Sequence, residues 1–288
     1  MNGVAAATAA LLLFSAPGIA MDIQGHRGAR GHLPENTLPS FEKALAFGVT
    51  TLELDVGVTR DGVVVVHHDR RLNPDVARGP DGKWVQAPAP TIHSLTYAQL
   101  QRYDVGRIRP GSEYAQRFPH QKPLDGTRIP RLSEVLTLSK TVHFNVETKI
   151  APEAPDETLP PQAFATAVLL EITKAGVASR ATMQSFDWRT LRVVEREAPQ
   201  IGTAYLTSGK SSVPAKVHAA GGRVWSPEYR DLTPQALEAA RALGLKIVAW
   251  TVNEPADIAR MLDSRVDGII SDYPDRVVEA LKRSKKPQ

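Results

Sequence analysis

The chain has no cysteine among its 288 residues, which excludes disulfides, thiolate nucleophiles and cysteine metal sites together. Any metal must therefore sit on oxygen or imidazole. Beyond residue 20 there is no apolar run long enough to cross a bilayer, and neither internal repeats nor low-complexity stretches occur. Blocks of one charge sign are scarce as well. The 35 basic and 31 acidic residues are spread along the chain for a net charge of +4, and only Lys282-Arg283-Ser284-Lys285-Lys286 forms a run. That run reads as a solvated helix end, not a nucleic-acid arm, and the mild positive balance suits small anionic substrates.

The first 20 residues contain Val4-Ala5-Ala6-Ala7, Ala9-Ala10-Leu11-Leu12-Leu13-Phe14 and Pro17-Gly18-Ile19-Ala20. They have the apolar stretch and small residues of a secretory signal peptide cut near Ala20, which places the mature protein in the periplasm or outside the cell. The usual positive start is missing, so the alternative is a cytoplasmic protein beginning at Met21.

At this length and 42% hydrophobic content, the chain fits one barrel-sized domain or two smaller ones. Beyond the leader, eight β-rich runs alternate with helical patterns: Asp22 to His26, Thr51 to Val58, His143 to Lys149, Ala181 to Phe186, Ile201 to Leu206, Arg223 to Ser226, Lys246 to Val252 and Gly268 to Ser271. Thr233-Pro234 and Glu254-Pro255 read as helix starts, a cap followed by proline. The pattern predicts a TIM (β/α)8 barrel over residues 21–288, with a doubly wound open sheet as runner-up. Residues 70–128, rich in Pro, Gly, Asp and Arg, carry only a short helix at Thr96 to Tyr103. They read as an insertion after the second strand, standing over the catalytic end.

Strand alternation puts Glu53 and Asp55 on one face of the second run, and Asn145, Glu147 and Lys149 on one face of the third. Three converging carboxylates, Glu53, Asp55 and Glu147, form an oxygen-only anionic cage suited to one hard divalent cation, Ca²⁺ or Mg²⁺. The competing reading is a set of structural ion pairs. His26 and His68 end their runs at the same rim and suit a pair of proton carriers, with Gly28 allowing close backbone approach to a ligand. His67 alternates away from His68, and the other histidines read as structural. Arg27 can fork onto a phosphate and Lys149 can add a point charge, so that the occupied site is neutral. Asn36 or Thr37 is expected to cap the first helix and Glu35 to orient a neighbour. Phe186 and Trp250 offer an apolar wall for the alcohol part of a substrate, or else pack the barrel.

Gly25-His26-Arg27-Gly28, Pro34-Glu35-Asn36-Thr37, Glu53-Leu54-Asp55, His68-Asp69, Asn145-Val146-Glu147-Thr148-Lys149, Ser185-Phe186-Asp187 and Ala249-Trp250-Thr251-Val252-Asn253 together resemble the glycerophosphodiester phosphodiesterase family, over about residues 22 to 281. The resemblance implies a TIM barrel with an insertion after the second strand, metal ligands Glu53, Asp55 and Glu147, catalytic His26 and His68, and phosphate contacts from Arg27 and Lys149. The insertion, with Asp104-Val105-Gly106 and Ile129-Pro130, is similar to the periplasmic type. The one departure is Thr148, where an aliphatic residue is common; its side chain points away from the ligand face.

The expected reaction is metal-dependent hydrolysis of glycerophosphodiesters to sn-glycerol 3-phosphate and an alcohol. The expected partner is a small molecule, with neither nucleic acid nor stable membrane insertion. One rival is a related barrel acting on lysophospholipid or sphingomyelin, which would want an apolar loop where this insertion is polar. Another is a non-catalytic phosphodiester-binding protein, for which paired proton carriers have no use.

Overall fold

The computed structural model describes residues 21–150, 152–209 and 213–284. The leader and the last two lysines of the basic run lie outside these residues. The strands are β1 (Asp22–Gly25), β2 (Thr51–Val58), β3 (Val64–Val66), β4 (His143–Thr148), β5 (Ala181–Ser185), β6 (Gly202–Thr207), β7 (Val224–Pro227), β8 (Lys246–Ala249) and β9 (Gly268–Ser271). All but β3 run parallel, and pairing of β1 with both β2 and β9 closes the ring. Closure decides for the (β/α)8 barrel and against an open doubly wound sheet, whose edge strands would each keep a free side.

Among the described residues, eight helices accompany the barrel: Leu38–Phe47, Leu132–Leu136, Pro161–Lys174, Trp188–Glu197, Val213–Ala219, Pro234–Ala242, Pro255–Asp263 and Pro274–Ser284. Their apolar faces meet the outward side chains of the strands in one continuous core that includes Leu52, Leu54, Val56, Phe144 and Val146, each completely buried. The expected start at Thr233 is real, since its hydroxyl accepts from the Ala236 amide at 3.1 Å. Glu254 makes no such bond. The helix Leu132–Leu136 is short because the Thr137 hydroxyl donates to the Glu134 carbonyl and Ser139 takes the Thr141 and Val142 amides.

After β2 the chain turns back through β3, antiparallel to it, and then leaves the barrel until Arg131. This excursion holds its own small core, Val65, Leu72, Ala77, Val85, Ala89, Ile92, Leu100, Val105 and Ile129. The expected Thr96 to Tyr103 helix is one turn, Tyr97–Leu100, closed by a capping box between Thr96 and Gln99. A second short helix, Glu113–Arg117, has no periodic signal in the sequence. It proves to be the part of the insertion nearest the chemistry.

Candidate active site

Parallel pairing of β2 with β4 sets Glu53 opposite Asn145 and Asp55 opposite Glu147. Because strand side chains alternate, the acidic residues point to the barrel axis while Leu52, Leu54 and Val56 face the helices. One oxygen from each of Glu53, Asp55 and Glu147 lies within 4.8 Å of the other two, and all three residues are buried. Gln184 on β5 donates to Glu53 at 2.7 Å, and Asn145 donates to Gln184 and Gln24, each at 2.8 Å. This amide layer supports Glu53 through Gln184.

Burial and the neighbouring Asp55 and Glu147 push the Glu53 carboxyl well above the usual carboxylate range. Burial also acts against ionised Asp55, yet Arg27, His68 and Lys149 outweigh it and hold that carboxyl well below. Glu147 is pushed up, burial and Asp55 outweighing the relief from Lys149. Asp55 Oδ1 has no hydrogen-bond partner although it is buried. Three like charges that resist common ionisation, with one orphaned oxygen among them, fit a hard divalent cation. Lys149 Nζ stands 3.7 Å from that oxygen, close enough to pair in charge but too far for a hydrogen bond.

The two histidines are built alike. His26 Nδ1 lies 2.7 Å from Asp272 Oδ1, and His68 Nδ1 lies 2.7 Å from Asp69 Oδ1. Each ring therefore donates through Nδ1 and turns Nε2 to the site, where His26 Nε2 stands 3.9 Å from Glu53 and His68 Nε2 stands 3.0 Å from Lys149 Nζ. Burial, with the Arg30 guanidinium nearby, lowers the His26 pKa to about 4 despite Asp272. His67 is buried away from this cavity, in keeping with its alternation.

Lys149 lies one residue past β4, with Nζ 2.6 Å from Glu147 and 3.7 Å from Asp55. Arg27 pairs with Glu35 at 2.8 Å and approaches Asp55 at 3.2 Å, while its amide donates to Glu53 at 3.0 Å. Glu35 thus orients a neighbour as expected, but the neutral charge count must now include it. Phe186 is 47% exposed at the rim and meets Trp250 edge to face at 5.4 Å. Trp250 Nε1 donates to the Ser226 carbonyl at 2.8 Å. Both rings line a cavity of about 190 Å³ together with His26, Arg27, Glu53, His68, Glu147 and Lys149. The alternative of barrel packing is overturned for Phe186, whose ring stands in solvent.

Asn36 is not a helix cap: its φ of 55° turns the side chain inward, where Nδ2 donates to Asp55 Oδ2 at 2.8 Å. Thr37 occupies the cap position, but its hydroxyl bonds the Pro34 carbonyl and not a helix amide. Packing also requires a glycine at position 28. Its φ is 88°, and a β-carbon there would lie 2.6 Å from Ser40 at the start of the first helix.

Residues 26–276 match the model of the glycerophosphoryl diester phosphodiesterase family. The chain belongs to this family. Its chemistry is the hydrolysis of a phosphodiester bond. A glycerophosphodiester phosphodiesterase of Bacillus subtilis is 30% identical over 264 residues, covering 87% of this chain and 83% of that protein. A Silicibacter pomeroyi protein, provisionally described as a glycerophosphoryl diester phosphodiesterase, is 37% identical. Its crystal structure superposes with a TM-score of 0.87, covering 93% of this chain and 95% of its own. An Oleispira antarctica phosphodiesterase, solved with its product sn-glycerol 3-phosphate, shares the fold at 23% identity, with a TM-score of 0.72 over 90% of this chain and 96% of its own.

The residues behind the histidines went unnoticed in the sequence. Asp272 receives His26, two bonds from Arg30 at 2.7 and 3.0 Å and one from Asn253 at 2.7 Å. Burial opposes its charge, but Arg30 and His26 hold the carboxyl far below the normal range. A depressed carboxylate stabilises the fold above its unfolded pKa, and that stability is lost as pH falls through the acid range. Asp272→Asn also leaves Arg30 buried without its partner, a loss of about 3–5 kcal/mol at neutral pH. In urea melts the gap between wild type and variant should be full above about pH 4 and close below it. A gap independent of pH would contradict this.

Proposed function

We propose that the protein hydrolyses glycerophosphodiesters such as glycerophosphocholine and glycerophosphoethanolamine to sn-glycerol 3-phosphate and the free alcohol. The observation that carries the reading is the convergence of three buried carboxylates beside two histidines, each anchored at Nδ1 by an aspartate. Glu53, Asp55 and Glu147 would hold one divalent cation, Ca²⁺ or Mg²⁺. When bound, it supplies Lewis-acid stabilisation of charge on the phosphoryl oxygens.

In this reading His26 is kept neutral by burial and by Arg30, so its free Nε2 accepts the proton of the glycerol 2-hydroxyl. That oxygen attacks phosphorus, and His68 delivers a proton to the departing alcohol. Water then opens the cyclic phosphate with the two roles reversed. Arg27 and Lys149 face the phosphate oxygens and stabilise the charge that builds on them. Phe186 and Trp250 shelter the alcohol.

A lysophospholipid or sphingomyelin substrate is less well supported, because the apolar residues of the insertion are folded into its own core. Its one exposed large hydrophobic residue is Leu124. A binding protein has no use for two aspartate-anchored imidazoles. We place the mature protein in the periplasm or outside the cell, on the apolar leader in the sequence. Among the described residues, no helix is long and apolar enough to cross a membrane.

The assay is choline release from glycerophosphocholine, repeated after EDTA and after adding back Ca²⁺ or Mg²⁺ singly. Release should stop with EDTA and return with one of the ions. Undiminished release in EDTA removes the cation from the account, and no release from any glycerophosphodiester removes the function.

A further inference from the structure

The cations around the catalytic carboxylates are already engaged. Arg27 is taken by Glu35 and Asp55, Arg30 by Asp272, and Lys149 by Glu147. Arg117 is different. It lines the same cavity as both histidines, yet among the described residues no carboxylate lies within ion-pair distance of it and no acceptor takes its hydrogen bonds.

The backbone beneath Arg117 is pinned to the catalytic loop. Ser112 caps the helix by accepting from the Ala115 amide at 3.0 Å. The Tyr114 hydroxyl donates to Glu35 and accepts from Arg30 at 3.2 Å. Phe118 is buried, with the Arg30 guanidinium 4.7 Å from its ring centre, and Gln121 donates to the Arg30 carbonyl at 2.8 Å. The Arg117 guanidinium itself rests on Tyr114 and Phe118 at 5.4 and 5.9 Å, leaving its five donors open to solvent and cavity.

The charge balance leaves room for this one cation. Glu53, Asp55, Glu147, Glu35 and Asp272 face Arg27, Arg30 and Lys149, and a divalent ion makes that set neutral. Asp69 is taken up by its hydrogen bond with His68 Nδ1. The phosphodiester, though it faces Arg27 and Lys149, then adds one negative charge that this set does not balance.

We propose that Arg117 is that counterpart: the second helix of the insertion carries a substrate-binding guanidinium that forks onto the non-bridging phosphate oxygens. The inference rests on the phosphodiesterase reading above. It makes the insertion part of the binding site and not merely a cover over it. A hydrogen-bonded guanidinium on a charged group contributes roughly 10- to 100-fold in binding, and a lysine replaces the charge without the fork.

The test pairs calorimetric binding of sn-glycerol 3-phosphate with glycerophosphocholine kinetics for wild type, Arg117→Gln, Arg117→Lys and Arg117→Ala. Arg117→Gln should weaken binding and lower kcat/KM by about 10- to 100-fold with an unchanged melting temperature. Arg117→Lys should recover part of the loss. Low millimolar guanidinium chloride, but not the same concentration of sodium chloride, should partly rescue Arg117→Ala, which a purely structural stacking role would not allow. If Arg117→Gln binds sn-glycerol 3-phosphate as wild type does, or falls only in melting temperature, the proposal is overturned while the phosphodiesterase reading stands. If wild type itself neither binds nor turns over, both fall together.

Discussion

Asp55→Asn is expected to lower turnover of glycerophosphocholine by roughly 10³-fold or more, since charge stabilisation by a bound cation amounts to several kcal/mol and each 1.4 kcal/mol is about tenfold in rate. Asn36 and Arg27 both reach Asp55 Oδ2, while Oδ1 takes no hydrogen bond and has Lys149 Nζ 3.7 Å away. The asparagine keeps the shape and can still meet Asn36, so the fold should persist while the anionic cage loses a charge. Glu147→Gln should behave similarly and also free Lys149, which now lies 2.6 Å from Glu147. Wild-type rates in Asp55→Asn would show that these carboxylates serve the fold and not the reaction.

His26→Ala is the second large effect. Acid–base roles contribute roughly 10²- to 10⁴-fold each, and a loss in that range is expected in kcat. His68→Ala should lose a comparable factor if the two imidazoles share one proton-transfer cycle. Because both act on the same step, the double variant should fall well short of the product of the single losses. Substrates with a very acidic leaving group, such as a nitrophenol, should lessen the dependence on His68 and leave that on His26. If they spare His26 instead, the roles are exchanged.

Much of this site can be read in the sequence, because alternation along a strand is local. Glu53 and Asp55 are two residues apart, as are Glu147 and Lys149, and a parallel register brings β2 and β4 side by side with all four at one end. The βα rhythm shows in the same way, since each strand and helix carries its own period. Ring closure does not. Nothing near Asp22 announces that β1 pairs with β9 about 246 residues later.

The supporting residues are hidden for the same reason. Asp272 meets His26 across 246 positions and Gln184 meets Glu53 across 131. A lone Asp or Gln at a strand end has no pattern of its own. Local rules leave Asn36 and Thr37 as equal candidates for the helix start, while tertiary contact with Asp55 turns Asn36 inward and leaves the cap position to Thr37. The Glu113–Arg117 helix is too short for a hydrophobic period, so Tyr114 and Arg117 surface only once the insertion is folded against the catalytic loop.

The most direct test of the central claim is calorimetric titration of Ca²⁺ and of Mg²⁺ into chelator-stripped protein, with activity followed in parallel. The account predicts one site per chain for at least one of the ions, lost in Asp55→Asn and Glu147→Gln, and turnover rising in step with occupancy. Full turnover in protein holding no divalent cation, or unchanged ion binding after both carboxylates are neutralised, would contradict it.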